Sequence, residues 1–273
     1  MRQITDIHEL RQLQMGILDH VHQFCEAHHI TYFLSSGSLL GAVRHGGYIP
    51  WDDDIDIYMQ RSEYNRLLSA FPNDGHYRLL APAKEPHYFY TFAKVVDTRT
   101  LMVEDETEGY EVGVYMDIFP IDYVPDDPEE RLRLFKRKKL LYKIRRCKIS
   151  RSNPLHSRLA YWFYKMLPVS VGFLTRRIHQ LIVCEQPSRY ACNMTEAGPH
   201  IKHCFPAEDM ASTVDIKFED RIYKTMAGYR DYLACTYGDY MTLPPEEKRV
   251  SEHSHHYLNF DEGVIPPGFP RIY

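Results

Sequence analysis

Asp54 and Asp56, set in the run Ile49-Pro50-Trp51-Asp52-Asp53-Asp54-Ile55-Asp56-Ile57, are the residues whose type and spacing could do chemistry. Side chains of an extended strand alternate between faces, so the two carboxylates share one face while Ile55 and Ile57 enter a core on the other. Aspartate is depleted in strands and adjacent like charges repel, so a strand opening this way needs a cation or a solvated edge. A hard divalent ion, Mg2+ or in its place Mn2+, meets that need with oxygen ligands. For an isolated Asp-x-Asp a solvated polar turn is the plainer explanation; what precedes it in this chain weighs against that.

The element that must position these carboxylates starts upstream. Ile30-Thr31-Tyr32-Phe33-Leu34 is an apolar, β-prone run; Ser35-Ser36-Gly37-Ser38 is a turn; Leu39-Leu40-Gly41-Ala42-Val43-Arg44 has a helical pattern. Serine at a helix start, beside a glycine that allows close backbone approach, leaves amide hydrogens and the positive dipole end facing outward. Gly37 and Ser38 are therefore candidates to bind phosphate. A phosphate-cradling turn followed by paired carboxylates supplies the parts that metal-assisted transfer of a phosphate-bearing group requires.

Around them, residues 5–29 carry Ile7, Leu10, Leu13, Ile17, Leu18, Val21 and Phe24 at three- and four-residue steps, an amphipathic helix. A helix over Arg61–Phe71 closes at Pro72, and strands are expected near 77–80, 88–96 and 112–119. The expected fold class is α/β (α+β), a mixed sheet flanked by helices.

The run Gly37-Ser38-Leu39-Leu40-Gly41-Ala42-Val43-Arg44-His45-Gly46, followed by Ile49-Pro50-Trp51-Asp52-Asp53-Asp54-Ile55-Asp56, resembles the LicD family of phosphocholine transferases. That family is similar in turn to fukutin and the fukutin-related ribitol-phosphate transferase, within the nucleotidyltransferase superfamily. The resemblance implies a nucleotidyltransferase-like fold and a third carboxylate, which Asp117 of Tyr115-Met116-Asp117-Ile118-Phe119-Pro120 supplies. Phe92-Ala93-Lys94-Val95-Val96-Asp97 and Tyr237-Gly238-Asp239-Tyr240-Met241-Thr242-Leu243-Pro244-Pro245 extend it over most of the chain, with residues 131–200 poorly covered.

By that resemblance Asp54, Asp56 and Asp117 are the catalytic carboxylates and the ligands of Mg2+. Gly37, Ser38, Arg44, Lys94 and Asp52 would bind the donor, with Arg44 beside the phosphate turn, Lys94 on a neighbouring strand, and Asp53 facing away. The implied donor is CDP-choline-like, and the acceptor is a sugar hydroxyl on a cell-surface glycan or its lipid-linked precursor, of the lipopolysaccharide or teichoic acid kind. Three alternatives stay open. The donor could be CDP-ribitol or CDP-glycerol, the reaction could be nucleotidyl transfer to a small acceptor, or the chain could be a silent nucleic-acid-binding module.

Charge separates some of these. Net charge over 273 residues is −4, yet residues 131–184 hold 15 Lys or Arg and no Asp or Glu, leaving 18 basic against 37 acidic side chains elsewhere. Such asymmetry draws the basic part to anionic surfaces. An acidic cleft repels a polyanion and the pI is near 6.4, so nucleic acid is not expected as a partner. Within the basic stretch, Leu132, Leu134, Phe135, Leu140, Leu141 and Ile144 interleave with cations and Tyr161-Trp162-Phe163-Tyr164 adds aromatics, which suits helices at a lipid interface. A solvated insert that balances the acidic core is the simpler alternative. The expected organisation is a catalytic core over 1–130, a basic helical insert over 131–200 and a C-terminal part over 201–273 that packs back on the core.

No basic-apolar leader occurs at residues 1–6 and no apolar stretch reaches membrane-spanning length, so a cytoplasmic protein in peripheral contact with the anionic inner leaflet is expected. Six cysteines without a Cys-x-x-Cys pair suit free, reduced thiols. His20, His22, His28 and His29 fall off any one helical face, and His200, His203 and Cys204 with Cys192 fit no familiar zinc spacing.

Overall fold

The protein is described by a computed structural model over residues 2–73, 75–85, 88, 90–103, 111–150, 155, 157–195, 203–250 and 256–259. In chain order the elements are β1 (Arg2–Ile4), α1 (Ile7–His28), β2 (Phe33–Leu34), α2 (Ser36–His45), β3 (Asp56–Gln60), α3 (Arg61–Ala70), β4 (Tyr77–Leu80), β5 (Ala93–Val103) and β6 (Glu111–Val124). They continue as α4 (Pro128–Ile149), α5 (Arg158–Met166), α6 (Val171–Ile182), β7 (Tyr190–Asn193), β8 (Phe205–Pro206), β9 (Thr213–Phe218), β10 (Arg221–Met226), α7 (Tyr229–Tyr237) and β11 (His256–Asn259).

The expected mixed sheet is present. Its main path runs β1-β11-β5-β6-β3-β2, with β4 on β5 and β7 on β6; β3 and β6 are parallel and β5 is antiparallel to β6. The long β6 is the spine. Its first half pairs β5 as far as Ile118 and its last residues pair β7 from Ile121. Pro120 falls between those two partners. The Asp117 amide points to β3, donating to Ile55 O at 2.9 Å, so the nitrogen of Pro120, three residues on, points to the opposite edge, where no partner strand requires a donor.

The sheet's two faces carry different cores. Ile55, Ile57, Met59, Val95, Met116 and Ile118 pack with the α1 stripe of Leu10, Ile17, Leu18 and Val21. Leu39, Tyr58, Phe92, Phe119, Ile121 and Tyr232 fill the other face. α1 begins where Asp6 accepts from the His8 amide at 2.9 Å and ends where His29 turns left-handed at φ 52°. The expected helix after Gln60 forms and stops before Phe71-Pro72, because the residue ahead of a proline is kept out of helical space.

The basic stretch folds as α4, α5 and α6, and the chain then rejoins the sheet as β7, so residues 190–193 are sheet rather than helix. Among the described residues no helix is long and apolar enough to cross a membrane.

Candidate active site

Three strands bring chemistry to one row. Asp56 opens β3 and stands opposite Asp117 on β6, and Asp117 stands opposite Lys94 on β5. Strand β3 begins only at Asp56, so Asp54 lies in the approach to the strand instead of within it. Ile55 and Ile57 are fully buried on the far face, as the alternation requires. Lys94 is itself buried, its ammonium 2.5 Å from Asp117 Oδ1 and over the rings of Tyr115 at 3.4 Å and Tyr90 at 4.4 Å. The ring faces and the carboxylate together replace the water that a buried ammonium loses. Lys94 therefore bears on the site through Asp117.

The turn ahead of α2 is locked to the same strand. Asp56 N–H donates to Ser38 Oγ at 2.9 Å, and Ser35 N–H donates to Asp56 O at 3.1 Å. Ser36 holds a left-handed φ of 49°, a conformation unfavourable for a residue with a Cβ and held here by Tyr232, whose hydroxyl accepts from the Ser36 amide at 3.3 Å. A Cβ on Gly37 would lie 2.6 Å from Asp52 Oδ2, so only glycine lets the helix start approach that carboxylate. Gly37, Ser38, Asp52 and Asp56 thus share one corner, with Ser38 buried and tied to Asp56.

Several residues with no motif hold this corner. On α1, the Arg11 guanidinium donates to Ile49 O at 2.9 Å and Asp52 O at 2.8 Å, and Gln14 Nε2 donates to Asp53 O at 2.6 Å. On the β9–β10 turn, Glu219 accepts from the Tyr48 amide at 2.9 Å, and a Cβ on Gly47 would strike its carboxylate. The acidic loop and the turn that leads into it are therefore clamped through their backbone from two sides. Gln14 left a sequence signal, a polar residue interrupting the i, i+4, i+8 row Leu10, Gln14, Leu18; Glu219 left none.

Arg44 is not beside the turn. It sits in the last turn of α2, about 12 Å along the axis from Ser36 at the usual helical rise, where Nη1 donates to Tyr240 O at 2.9 Å and Nε to His45 Nε2 at 3.1 Å. Burial and the neighbouring Arg249 lower its pKa. Arg249 in turn lies over Trp51 at 6.0 Å from the ring centroid and donates to Pro244 O at 2.8 Å. Tyr237, at the end of α7, is 42% exposed as a residue, and its phenol is raised by desolvation, then by Tyr232 and by the negative field of Asp56, Asp52 and Asp54. Trp51 and Tyr237 lie in the quoted segments without a role assigned to them, and Arg249 escaped because no local spacing ties it to the acidic run.

Asp52, Asp54 and Asp56 offer carboxylate oxygens, the donor type that suits a hard divalent cation, while the Lys94 ammonium already occupies Asp117 Oδ1. Among the described residues no group of three or more His, Cys, Asp or Glu is arranged to hold a metal ion. An ion here would rest on Asp54 and Asp56, with Asp117 adjoining, and take its remaining ligands from phosphate and water, as Mg2+ commonly does. Cys192 and Cys204 are buried and not disulfide-bonded, and His200 lies outside the described residues.

Residues 29–159 match the family described as LicD/FKTN/FKRP, nucleotidyltransferase domain. The chain is 30% identical over 265 residues to the lipopolysaccharide cholinephosphotransferase LicD of Haemophilus influenzae, covering 93% of this chain and 97% of that protein. It is also 59% identical over 32 residues to the ribitol 5-phosphate transferase FKRP of Homo sapiens, covering 12% of this chain and 6% of that protein.

Proposed function

The chain belongs to the LicD family, and on that premise we propose that it transfers phosphocholine from CDP-choline to a sugar hydroxyl of a cell-surface glycan or its lipid-linked precursor. As a phosphotransferase acting on a precursor held at a bilayer, it would work peripherally at the inner face of the membrane. The observation that supports the reading best is the row of Asp56, Asp117 and Lys94 across three strands, in a chain aligned nearly end to end with a cholinephosphotransferase.

The donor's phosphates lie between the start of α2 and the acidic corner. When bound by Asp54 and Asp56, Mg2+ supplies the positive charge that offsets the negative charge gathering on the phosphate oxygens. The acceptor hydroxyl oxygen forms a bond to the choline-bearing phosphorus as the bond from that phosphorus to the CMP oxygen breaks, and CMP leaves with the electron pair. Asp117 takes or orients the hydroxyl proton, and the Lys94 ammonium beside it keeps that carboxylate aimed. Gln14 and Arg11 hold the acidic loop so that these distances are set before substrate arrives.

A second reading, transfer of ribitol or glycerol phosphate from the corresponding CDP donor, draws on the 59% identical segment shared with the ribitol 5-phosphate transferase. One experiment separates them. Purified protein is incubated with Mg2+, a sugar acceptor and CDP-choline, CDP-ribitol, CDP-glycerol or CTP, and CMP and pyrophosphate are quantified with and without EDTA. CMP from CDP-choline is expected, abolished by EDTA and by Asp54→Asn or Asp56→Asn, with Asp53→Asn mild and circular dichroism unchanged throughout. CMP from another donor would replace the head group, and pyrophosphate from CTP would move the chain to nucleotidyl transfer. Retained turnover in Asp56→Asn would sink the metal assignment.

A further inference from the structure

α5 is amphipathic with its apolar side facing outward. Leu159, Trp162, Phe163 and Met166 are 86%, 57%, 63% and 74% exposed. At about 100° per residue these four positions fall within roughly 100° of arc, a continuous stripe along the helix. Isolated exposed apolar residues need no explanation, but four large ones contiguous on one face mark a surface made to be covered.

That orientation is built in. On the opposite side Tyr161 is buried and its hydroxyl accepts from Lys165 at 2.5 Å, while Lys148 of α4 donates to Lys165 O at 2.6 Å and to Leu167 O at 2.5 Å, satisfying carbonyls at the end of α5. Lys143 of α4 lies over the Tyr164 ring at 5.2 Å. Rolling the stripe inward would break all of these at once.

The helix that α5 packs on carries the charge that points to a partner. Lys136, Lys139, Lys143 and Arg146 are exposed at positions that share one face of α4. No acidic residue occurs anywhere in residues 131–184. Another copy of this chain offers the stripe no matching acidic patch within the same stretch. An anionic bilayer offers both a headgroup charge for the lysines and an apolar boundary for Trp162 and Phe163.

We infer that α5 is a membrane-docking helix, its Leu159–Met166 stripe entering the headgroup boundary of an anionic bilayer while the basic face of α4 holds the lipid phosphates. The contact gives the proposed transfer a route to a lipid-held acceptor and depends on that reading for its purpose, while the contact itself rests on these helices.

The test is sedimentation of the full chain with vesicles of phosphatidylcholine alone or with added phosphatidylglycerol, at low and high salt. Binding to the anionic vesicles only, weakened by salt, is expected. Trp162→Ser/Phe163→Ser and Lys136→Glu/Lys143→Glu should each lower partitioning roughly tenfold or more. Circular dichroism and CMP release with a soluble acceptor should stay at wild-type levels in both. Equal pelleting of wild type and the Trp162→Ser/Phe163→Ser variant overturns the inference. So does a wild-type dimer in light scattering that this variant dissolves while vesicles bind neither. CMP release is read separately, so failure of docking and failure of the transfer reading are distinguishable.

Discussion

Lys94 and Asp117 form an ion pair from neighbouring strands, with Asp56 next in the row. Removing one member of a buried pair strands the other, which typically costs about 3 kcal/mol or more. Lys94→Met and Asp117→Asn should therefore each lower unfolding free energy in urea by roughly 3 kcal/mol, whereas the double variant should recover a large part of the summed loss. Simple additivity of the two losses would show that the ion pair is not what holds them. At this scale the sequence was partly legible. The Asp54–Asp56 spacing and the lone Asp117 could be picked out as types, but the charge on Lys94 points to Asp117, a fact fixed by strand register and invisible to local spacing.

Among the elements, α1 does more than bury a stripe. Arg11 and Gln14 reach from it to the carbonyls of Ile49, Asp52 and Asp53, so the helix sets the height of the acidic loop above the sheet. Gln14→Leu keeps the volume and the apolar row but leaves the Asp53 carbonyl without that donor. We expect kcat to fall by about tenfold, since small misplacements of catalytic groups are expensive, with stability lowered by about 1 to 2 kcal/mol. Steady-state kinetics beside thermal melting checks this, and an unchanged kcat would remove α1 from the site. The periodicity of α1 and the stop of α3 before Pro72 were readable from local rules. The late start of β3 was not, because Asp54 is held by its neighbours' tertiary bonds and not by a ladder partner.

For the whole molecule, stability is tied to pH through Asp209, buried beside Asp231 at the first turn of α7. Its carboxyl is raised from 3.8 to about 6 by burial, then by Asp231 and Glu208. The folded state binds this proton more tightly than the unfolded state, so the contribution of Asp209 to stability is fully present below about pH 4, is lost as pH rises to about 6, and is level above. Asp209→Asn should flatten that slope and raise stability at pH 8 by about 1 to 2 kcal/mol, read from urea midpoints across pH. A variant with the wild-type slope would assign the dependence to other groups. Charge at this scale is also divided, a basic helical stretch on an otherwise acidic protein, and it is the fold that turns the uncharged stripe of α5 outward beside it.

The sequence by itself determined the carboxylate pair, the strand-turn-helix ahead of it, the family and the charge asymmetry, because each is written in short-range spacing, in side-chain alternation or in composition. Only the tertiary structure decided that Asp56 stands opposite Asp117 and Asp117 opposite Lys94, and that Arg44 reaches the Tyr240 carbonyl from the far end of α2. These depend on parallel pairing and on returns of the chain from distant segments, and contacts of that range leave no period in the local pattern. The same holds for α5. Its amphipathic repeat is local, but which face meets solvent was settled by Lys148, Tyr161 and Lys143 pinning the other side.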